Sequence, residues 1–156
     1  MPIALAASTF IIASCSNEAG TISDVHTGVT AGHSKFYPAA GGLLYNLNAT
    51  TIVAEKNGEI RYAVGTRYLS TGLGWAFFRE AWSFGNKLPY QVTGEHVSGC
   101  GGGSCSMTEE GLIQLTKQQF ESAAKTGFEF KLQGRNRSVV GKLPASAFQE
   151  ALAQNR

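Results

Sequence analysis

The sequence predicts an α+β fold, in which a mainly antiparallel, twisted sheet or small β-sandwich carries two short helices near the C-terminus. Three observations support this class. β-rich runs recur along the chain, an Asn-Gly dipeptide joins two of them, and helix start and stop signals appear towards the C-terminus. We expect about six to eight strands, and a chain that ends in the order strand, helix, strand, strand, helix.

The clearest strand signal is a hairpin in the middle of the chain. Residues 51–56 and 59–64 are both β-rich, and Asn57-Gly58 joins them. An Asn-Gly pair suits a type I′ turn, because that turn needs positive φ at both central residues. We therefore expect the two runs to pair.

The densest apolar run, Trp75 to Phe84, is predicted to be a central strand. Its aromatic content and the Gly85-Asn86 stop favour a strand, although the spacing of three of its aromatic residues leaves a helix as the alternative. We expect Tyr90–Val97 to be its partner strand and residues 69–74 to form a loop.

The N-terminal part of the domain is harder to interpret. Thr21–Thr30 is rich in β-branched residues and is predicted to be one strand. Leu43-Leu44-Tyr45 is interpreted as an edge strand or a packed loop.

The C-terminal elements follow from local signals. Residues 106–115 are predicted to form a strand that Glu109-Glu110-Gly111 interrupts as a bulge. Thr116 and Gln119 make a capping box for a helix that Gly127 ends. Two strands, 128–132 and 138–143, are then expected, and a last helix begins at Pro144 and Ser146.

Length and charge limit the classes of function. The chain has 156 residues, about one domain, and only 15% of them are charged. The formal net charge of +2 is too small to indicate nucleic acid binding. One local basic cluster is explained equally well by a solvated turn and by a phosphate site; it comprises Lys131, Arg135, Arg137 and Lys142.

The N-terminus has the features of a secretory signal. An apolar run of eleven residues, Ile3 to Ala13, is too short for a membrane-spanning helix of about 20 residues. It leads into Ile12-Ala13-Ser14-Cys15, an aliphatic residue and two small residues before a cysteine. This motif resembles the lipobox of bacterial lipoproteins. Residues 1–14 contain no Lys or Arg, so the chain departs from the usual basic start of such signals.

The resemblance implies a signal peptide at residues 1–14 and lipidation of Cys15. Residues 15–20 would then form a lipidated tether, and residues 21–156 a single globular domain. It further implies anchoring in the cell envelope, and Ser16 after the cysteine favours the outer membrane, with the domain facing the periplasm. Stable anchoring needs more than one acyl chain, as such lipoproteins carry.

The other two cysteines flank a glycine-rich segment, Cys100-Gly-Gly-Gly-Ser-Cys105. Facing residues of a hairpin lie at about the separation that a disulfide requires. We expect a Cys100–Cys105 bond in an oxidising envelope, since lipidation of Cys15 leaves two cysteines to pair. The alternative is a metal site with His96, Cys100 and Cys105 as ligands.

Two classes of function follow. The first is a non-enzymatic interaction or scaffold domain with a protein partner in the envelope, because no recognisable catalytic motif is present and no cofactor is indicated. The alternative is a small periplasmic metal-binding protein or enzyme that uses the same His96 and cysteine pair, with or without His26 or His33.

Overall fold

The computed structural model describes residues 17–155; the predicted signal peptide and Cys15 lie outside the described residues. Strands account for 62% of the described residues, so the fold is more β-rich than a balanced α+β protein. Eleven strands lie within residues 17–155, more than the six to eight expected. The strands are β1 Gly20–Asp24, β2 Val29–His33, β3 Tyr37–Gly41, β4 Tyr45–Lys56, β5 Glu59–Thr71, β6 Phe78–Ser83, β7 Asn86–Leu88, β8 Tyr90–Gly101, β9 Ser104–Leu115, β10 Phe128–Gly134 and β11 Ser138–Leu143. The helices are α1 Lys117–Thr126 and α2 Ala145–Gln154.

The strands form two antiparallel sheets. The large sheet has the order β1-β2-β4-β5-β9-β8, and β3 also pairs with β4. The small sheet has the order β11-β10-β6-β7. All these pairings are antiparallel, as the sequence predicts.

The predicted central hairpin is confirmed. β4 and β5 pair along their length, and Lys56 lies opposite Glu59 at the turn. Asn57 has φ 52° and Gly58 has φ 80°, as a type I′ turn requires.

The predicted C-terminal order is also confirmed, as β9, α1, β10, β11 and α2. The Thr116 hydroxyl accepts a hydrogen bond from the Gln119 backbone N–H at 3.2 Å, and the Gln119 side chain accepts one from the Thr116 N–H at 2.8 Å. Gly127 ends α1 with φ 81°.

The apolar run from Trp75 to Phe84 is not one strand, and Tyr90–Val97 is not its partner. Only Phe78–Ser83 is strand, and it pairs with β10 and β7 in the small sheet. Tyr90–Val97 belongs to β8, which pairs with β9 at the edge of the large sheet. Phe77 and Phe84 have positive φ, so the chain turns at both ends of β6.

Thr21–Thr30 is a hairpin rather than one strand. Asp24 ends β1, where its carboxylate accepts hydrogen bonds from the backbone N–H groups of His26 and Thr27. This local bonding supports a turn, and β2 then pairs back onto β1.

Three smaller expectations are corrected. β5 continues to Thr71, so the predicted loop begins three residues later, at Gly72. β9 runs unbroken through Glu109-Glu110-Gly111, whereas the register shifts lie in β8. Leu43 is 99% exposed and is therefore not part of a packed loop.

One hydrophobic core lies between the two sheets and the helices. One face of the large sheet lines this core, and Leu47, Tyr68 and Glu109 form a cross-strand row on that face. The small sheet covers part of this face, and the Tyr68 and Phe78 rings meet edge to face at 5.0 Å.

The helices cover the rest of the core face. The Thr51 hydroxyl donates a hydrogen bond to the Ala147 carbonyl at 2.7 Å, and a Cβ at Gly32 would lie 3.0 Å from the Ala151 carbonyl oxygen. Glycine at position 32 therefore allows α2 to approach the sheet closely. No helix within residues 17–155 is long and apolar enough to cross a membrane.

Candidate interaction surfaces

The β8–β9 hairpin is closed by the predicted disulfide. Cys100 and Cys105 lie opposite each other in the register, with their Cα atoms 4.0 Å apart, and their sulfur atoms are bonded. The bond spans the glycine-rich tip, where Gly102 and Gly103 both adopt positive φ. The tip therefore needs glycine, and the disulfide limits the freedom that glycine brings.

This disulfide hairpin, residues 95–108, is exposed and poor in charge. From Glu95 to Ser104 every residue is exposed, and none of residues 96–108 is Asp, Glu, Lys or Arg. The base is fixed at β5, because the Gly72 N–H donates to the Cys105 carbonyl at 3.1 Å and the Thr71 and Ser106 hydroxyls lie 2.9 Å apart. The distal half is thus an uncharged projection on a fixed base.

The bonded sulfurs are not the thiolates that the alternative metal site needs. His96 is exposed on the same hairpin, while His26 and His33 belong to the β1–β2 hairpin at the opposite edge of the large sheet. The structure therefore does not bring the three histidines together. Over residues 17–155, no group of three His, Cys, Asp or Glu side chains is placed to hold a metal ion.

A buried carboxylate fixes the loop between β5 and β6. Glu109 is 3% exposed and accepts hydrogen bonds from the backbone N–H groups of Ala76 at 2.7 Å and Phe78 at 3.3 Å. Glu110, its neighbour, points to the other face and pairs with Arg67 at 2.6 Å. Adjacent residues of a strand point to opposite faces, so the two carboxylates do not act as a pair, and Glu109 is bonded to backbone groups.

The basic residues that lie close together in the sequence make separate contacts in the structure. The Arg137 guanidinium donates hydrogen bonds to the carbonyls of Gly74 and Leu73 in the loop between β5 and β6. Lys142 pairs with Glu129 at 2.8 Å, and this contact raises the pKa of Lys142. The cluster therefore does not converge on one phosphate position.

The outer face of the small sheet carries a cross-strand row that the sequence did not reveal. Val140, Lys131, Trp82 and Lys87 lie side by side on β11, β10, β6 and β7. The next row, Val139, Leu132, Ala81 and Leu88, faces the core and is buried. The first row therefore faces solvent across the whole sheet.

Phe84 extends this surface at the β6–β7 turn. Ser83 and Asn86 pair across the turn, whose central residues Phe84 and Gly85 have φ 44° and 83°. A type I′ turn normally has Asn, Asp or Gly in the position that Phe84 occupies, and a bulky residue at positive φ is strained. The Phe84 side chain is nevertheless 83% exposed, so it does not contribute to the core.

We call Trp82, Phe84, Lys131 and Val140 the aromatic patch. Val140 is 49% exposed, and a shallow cavity of about 240 Å³ lies among these residues. Beside Trp82, at the edge of the aromatic patch, the Lys87 ammonium forms an ion pair with Glu80 at 2.6 Å. This contact lowers the pKa of the Glu80 carboxyl group. Among residues 17–155, Lys131 has no carboxylate within ion-pair distance.

The sequence does contain a local signal for the exposed position of Phe84. Ser83-Phe84-Gly85-Asn86 is a two-residue hairpin loop with glycine in the second central position, between two β-rich runs. A turn at this position places the Phe84 side chain in solvent. The aromatic patch and the disulfide hairpin are two candidate interaction surfaces of the described chain. No protein-family model matches the chain, and neither the curated proteins nor the solved structures compared with it gave a match.

Proposed function

We propose that this chain is a small bacterial cell-envelope lipoprotein, held by lipid at Cys15, that acts as a non-enzymatic interaction domain through the aromatic patch. The observation that carries the interaction role is Phe84, a strained and 83% exposed aromatic residue in a turn that favours asparagine or glycine. A residue with a strained backbone and a side chain that does not contribute to the core is accounted for by a contact with another molecule.

The composition of the patch suits a protein partner. Aromatic residues supply large contact areas at low entropic cost, and they are enriched at the centres of protein interfaces. Lys131 lies directly between Trp82 and Val140 and has no carboxylate within 4.0 Å in the described chain. Glu129, which lines the same cavity, pairs with Lys142 instead. We propose a partner surface with an apolar centre and a carboxylate placed to meet Lys131.

The compartment is proposed from the N-terminal motif and the disulfide. Disulfides persist in oxidising compartments and are rare in the cytosol. The Cys100–Cys105 bond agrees with a protein exported under the lipobox-like signal at Ile12-Ala13-Ser14-Cys15. The residue after the cysteine, Ser16, supports the outer membrane as the proposed destination.

Site-specific photocrosslinking in intact cells tests the interaction role. A photoreactive phenylalanine analogue is placed at Phe84, and the control places it at Val25, which is 86% exposed in the turn after β1. We expect one discrete crosslinked protein from position 84, lost when Lys131→Glu is added, and none from position 25. Equal crosslinking from both positions, or none from position 84, would overturn the proposed role.

Fractionation of cells that express Cys15→Ser tests the anchor separately. The wild-type chain is expected in the membrane fraction and the variant outside it. A chain that stays in the cytoplasm with or without the substitution contradicts the lipoprotein assignment.

A further inference from the structure

The described chain begins at a fixed point on the large sheet. The side chain of Asn17 accepts a hydrogen bond from the Phe36 backbone N–H at 3.0 Å, and β1 begins at Gly20. Part of the stretch expected to be a tether, residues 15–20, is therefore bound to the domain. Only Ser16 separates Asn17 from Cys15.

The reach of so short a connection is small. Two residues span at most about 7 Å, which is similar to the thickness of the headgroup layer on one side of a bilayer. If Cys15 carries lipid, as proposed above, Asn17 and Phe36 lie at headgroup level. The domain cannot stand away from the membrane on a flexible arm.

Phe36 lies over the outer face of the large sheet, the face turned away from the core. Its ring is 4.9 Å from the guanidinium carbon of Arg67, which pairs with Glu110 on the same face. Within residues 17–155, neither the helices nor the small sheet packs on this face, because both lie on the core face.

The middle of the outer face is apolar. A Cβ at Gly65 would lie within 4 Å of Thr50, Ile52 and Leu112, which places their side chains together on the outer face. Ala63, the cross-strand partner of Ile52, and Ala54, two residues further along β4, lie on the same face. Both are half-buried, like Ile52 and Leu112. The Arg67–Glu110 pair leaves no net charge at that point.

We propose that the outer face of the large sheet rests on the lipid surface, so that the aromatic patch points away from the membrane. This inference depends on the proposed lipid anchor and adds the orientation of the domain. The two sheets enclose one core, so their outer faces look in opposite directions. Lipid contact covers the unpartnered apolar face, and the patch becomes available to a partner in the periplasm.

Labels at two positions distinguish a domain that lies flat on the lipid surface from one that stands on an edge of the large sheet. Gln114 is exposed on the outer face in β9, three strands from β2, which lies next to the edge strand β1. If the domain stood on the β1 edge, Gln114 would be about 14 Å farther from the lipid than β2, at about 4.8 Å per strand. Ser138 is an exposed polar residue on the outer face of the small sheet and is the matched control.

The experiment uses the full chain, purified from membranes and reconstituted in phosphatidylethanolamine–phosphatidylglycerol vesicles that contain nitroxide-headgroup lipid. Gln114→Cys and Ser138→Cys are each labelled with a thiol-reactive fluorophore, and vesicle flotation is measured on the same samples. We expect flotation of both and at least a threefold stronger quenching at position 114. Flotation with equal quenching, or with stronger quenching at position 138, overturns the orientation and leaves the anchor intact. A chain that does not float overturns both.

Discussion

Lys131 and Trp82 are direct cross-strand partners in the small sheet, and both side chains lie on its outer face. One strand further, Val140 pairs with Lys131, so a cation lies between two apolar side chains in one row. The next residues inward, Leu132 and Ala81, are fully buried. Since alternation fixes one face of these strands in the core, the row is held rigidly in solvent, as a binding surface requires.

Replacing Phe84 by asparagine is expected to stabilise the protein and abolish its proposed contact. Asn accepts positive φ far more readily than Phe, so the free energy of unfolding should rise by about 1 kcal/mol and Tm by about 3–4 °C. Thermal denaturation measures this, and the photocrosslinking yield measured from a neighbouring position of the patch should fall. A variant less stable than the wild type by 1 kcal/mol or more would show that Phe84 serves the fold.

The adjacent pair Glu109 and Glu110 provides a matched test of the buried carboxylate. Glu109→Ala leaves the N–H groups of Ala76 and Phe78 without their acceptor, so we expect a loss of about 3 kcal/mol in the free energy of unfolding. Glu110→Ala removes an exposed ion pair and should lose about 0.5 kcal/mol. Urea denaturation of both variants checks the difference, and equal losses would contradict the structural role of Glu109.

Opening the disulfide is expected to change the hairpin more than the core. The bond closes a very short loop, so the Cys100→Ser/Cys105→Ser double variant should lose about 2 kcal/mol at most. Amide hydrogen exchange should accelerate in residues 95–108 and stay unchanged in β4 and β5. Faster exchange throughout the large sheet would show that the bond supports the whole fold.

Stability is expected to fall at alkaline pH because of buried tyrosines. Burial raises the pKa of Tyr90 to about 12, and it raises the pKa of Tyr37 and Tyr68 in the same direction. A raised pKa in the folded state contributes stability that is complete below pH 10 and is lost as the pH rises towards 12. For Tyr90 the loss is about 3 kcal/mol.

Tyr90→Phe should therefore flatten the decline in stability between pH 10 and pH 12, relative to the wild type at the same pH values. Urea denaturation at pH 8, 10 and 11.5 provides the comparison, and pH 8 gives the reference for the loss of the hydroxyl itself. An unchanged decline would mean that Tyr90 does not cause it.

Local signals in the sequence predicted the parts of the fold that local physics determines. The Asn57-Gly58 turn specifies its own backbone angles, and the Thr116–Gln119 capping box satisfies the helix start within four residues. The pairing of β6 could not be predicted in this way, because its partner β10 lies about 50 residues later in the sequence. Two strands of the other sheet, β8 and β9, come between them along the chain.

The candidate surfaces were predictable only in part. The Cys100–Cys105 bond followed from spacing across a hairpin, which is local. The aromatic patch depends on which face of β6 is buried, and an apolar run shows no clear alternation from which to decide. Burial of Glu109 depends on two N–H groups in a loop more than thirty residues away along the chain.

The most direct test of the central proposal is the mass of the N-terminal peptide of the protein isolated from its native membrane. We expect a peptide that starts at Cys15 and carries a diacylglycerol group and an amide-linked acyl chain, with residues 1–14 removed. An unmodified N-terminal peptide that still contains residues 1–14 would contradict the lipid anchor and the orientation inferred from it.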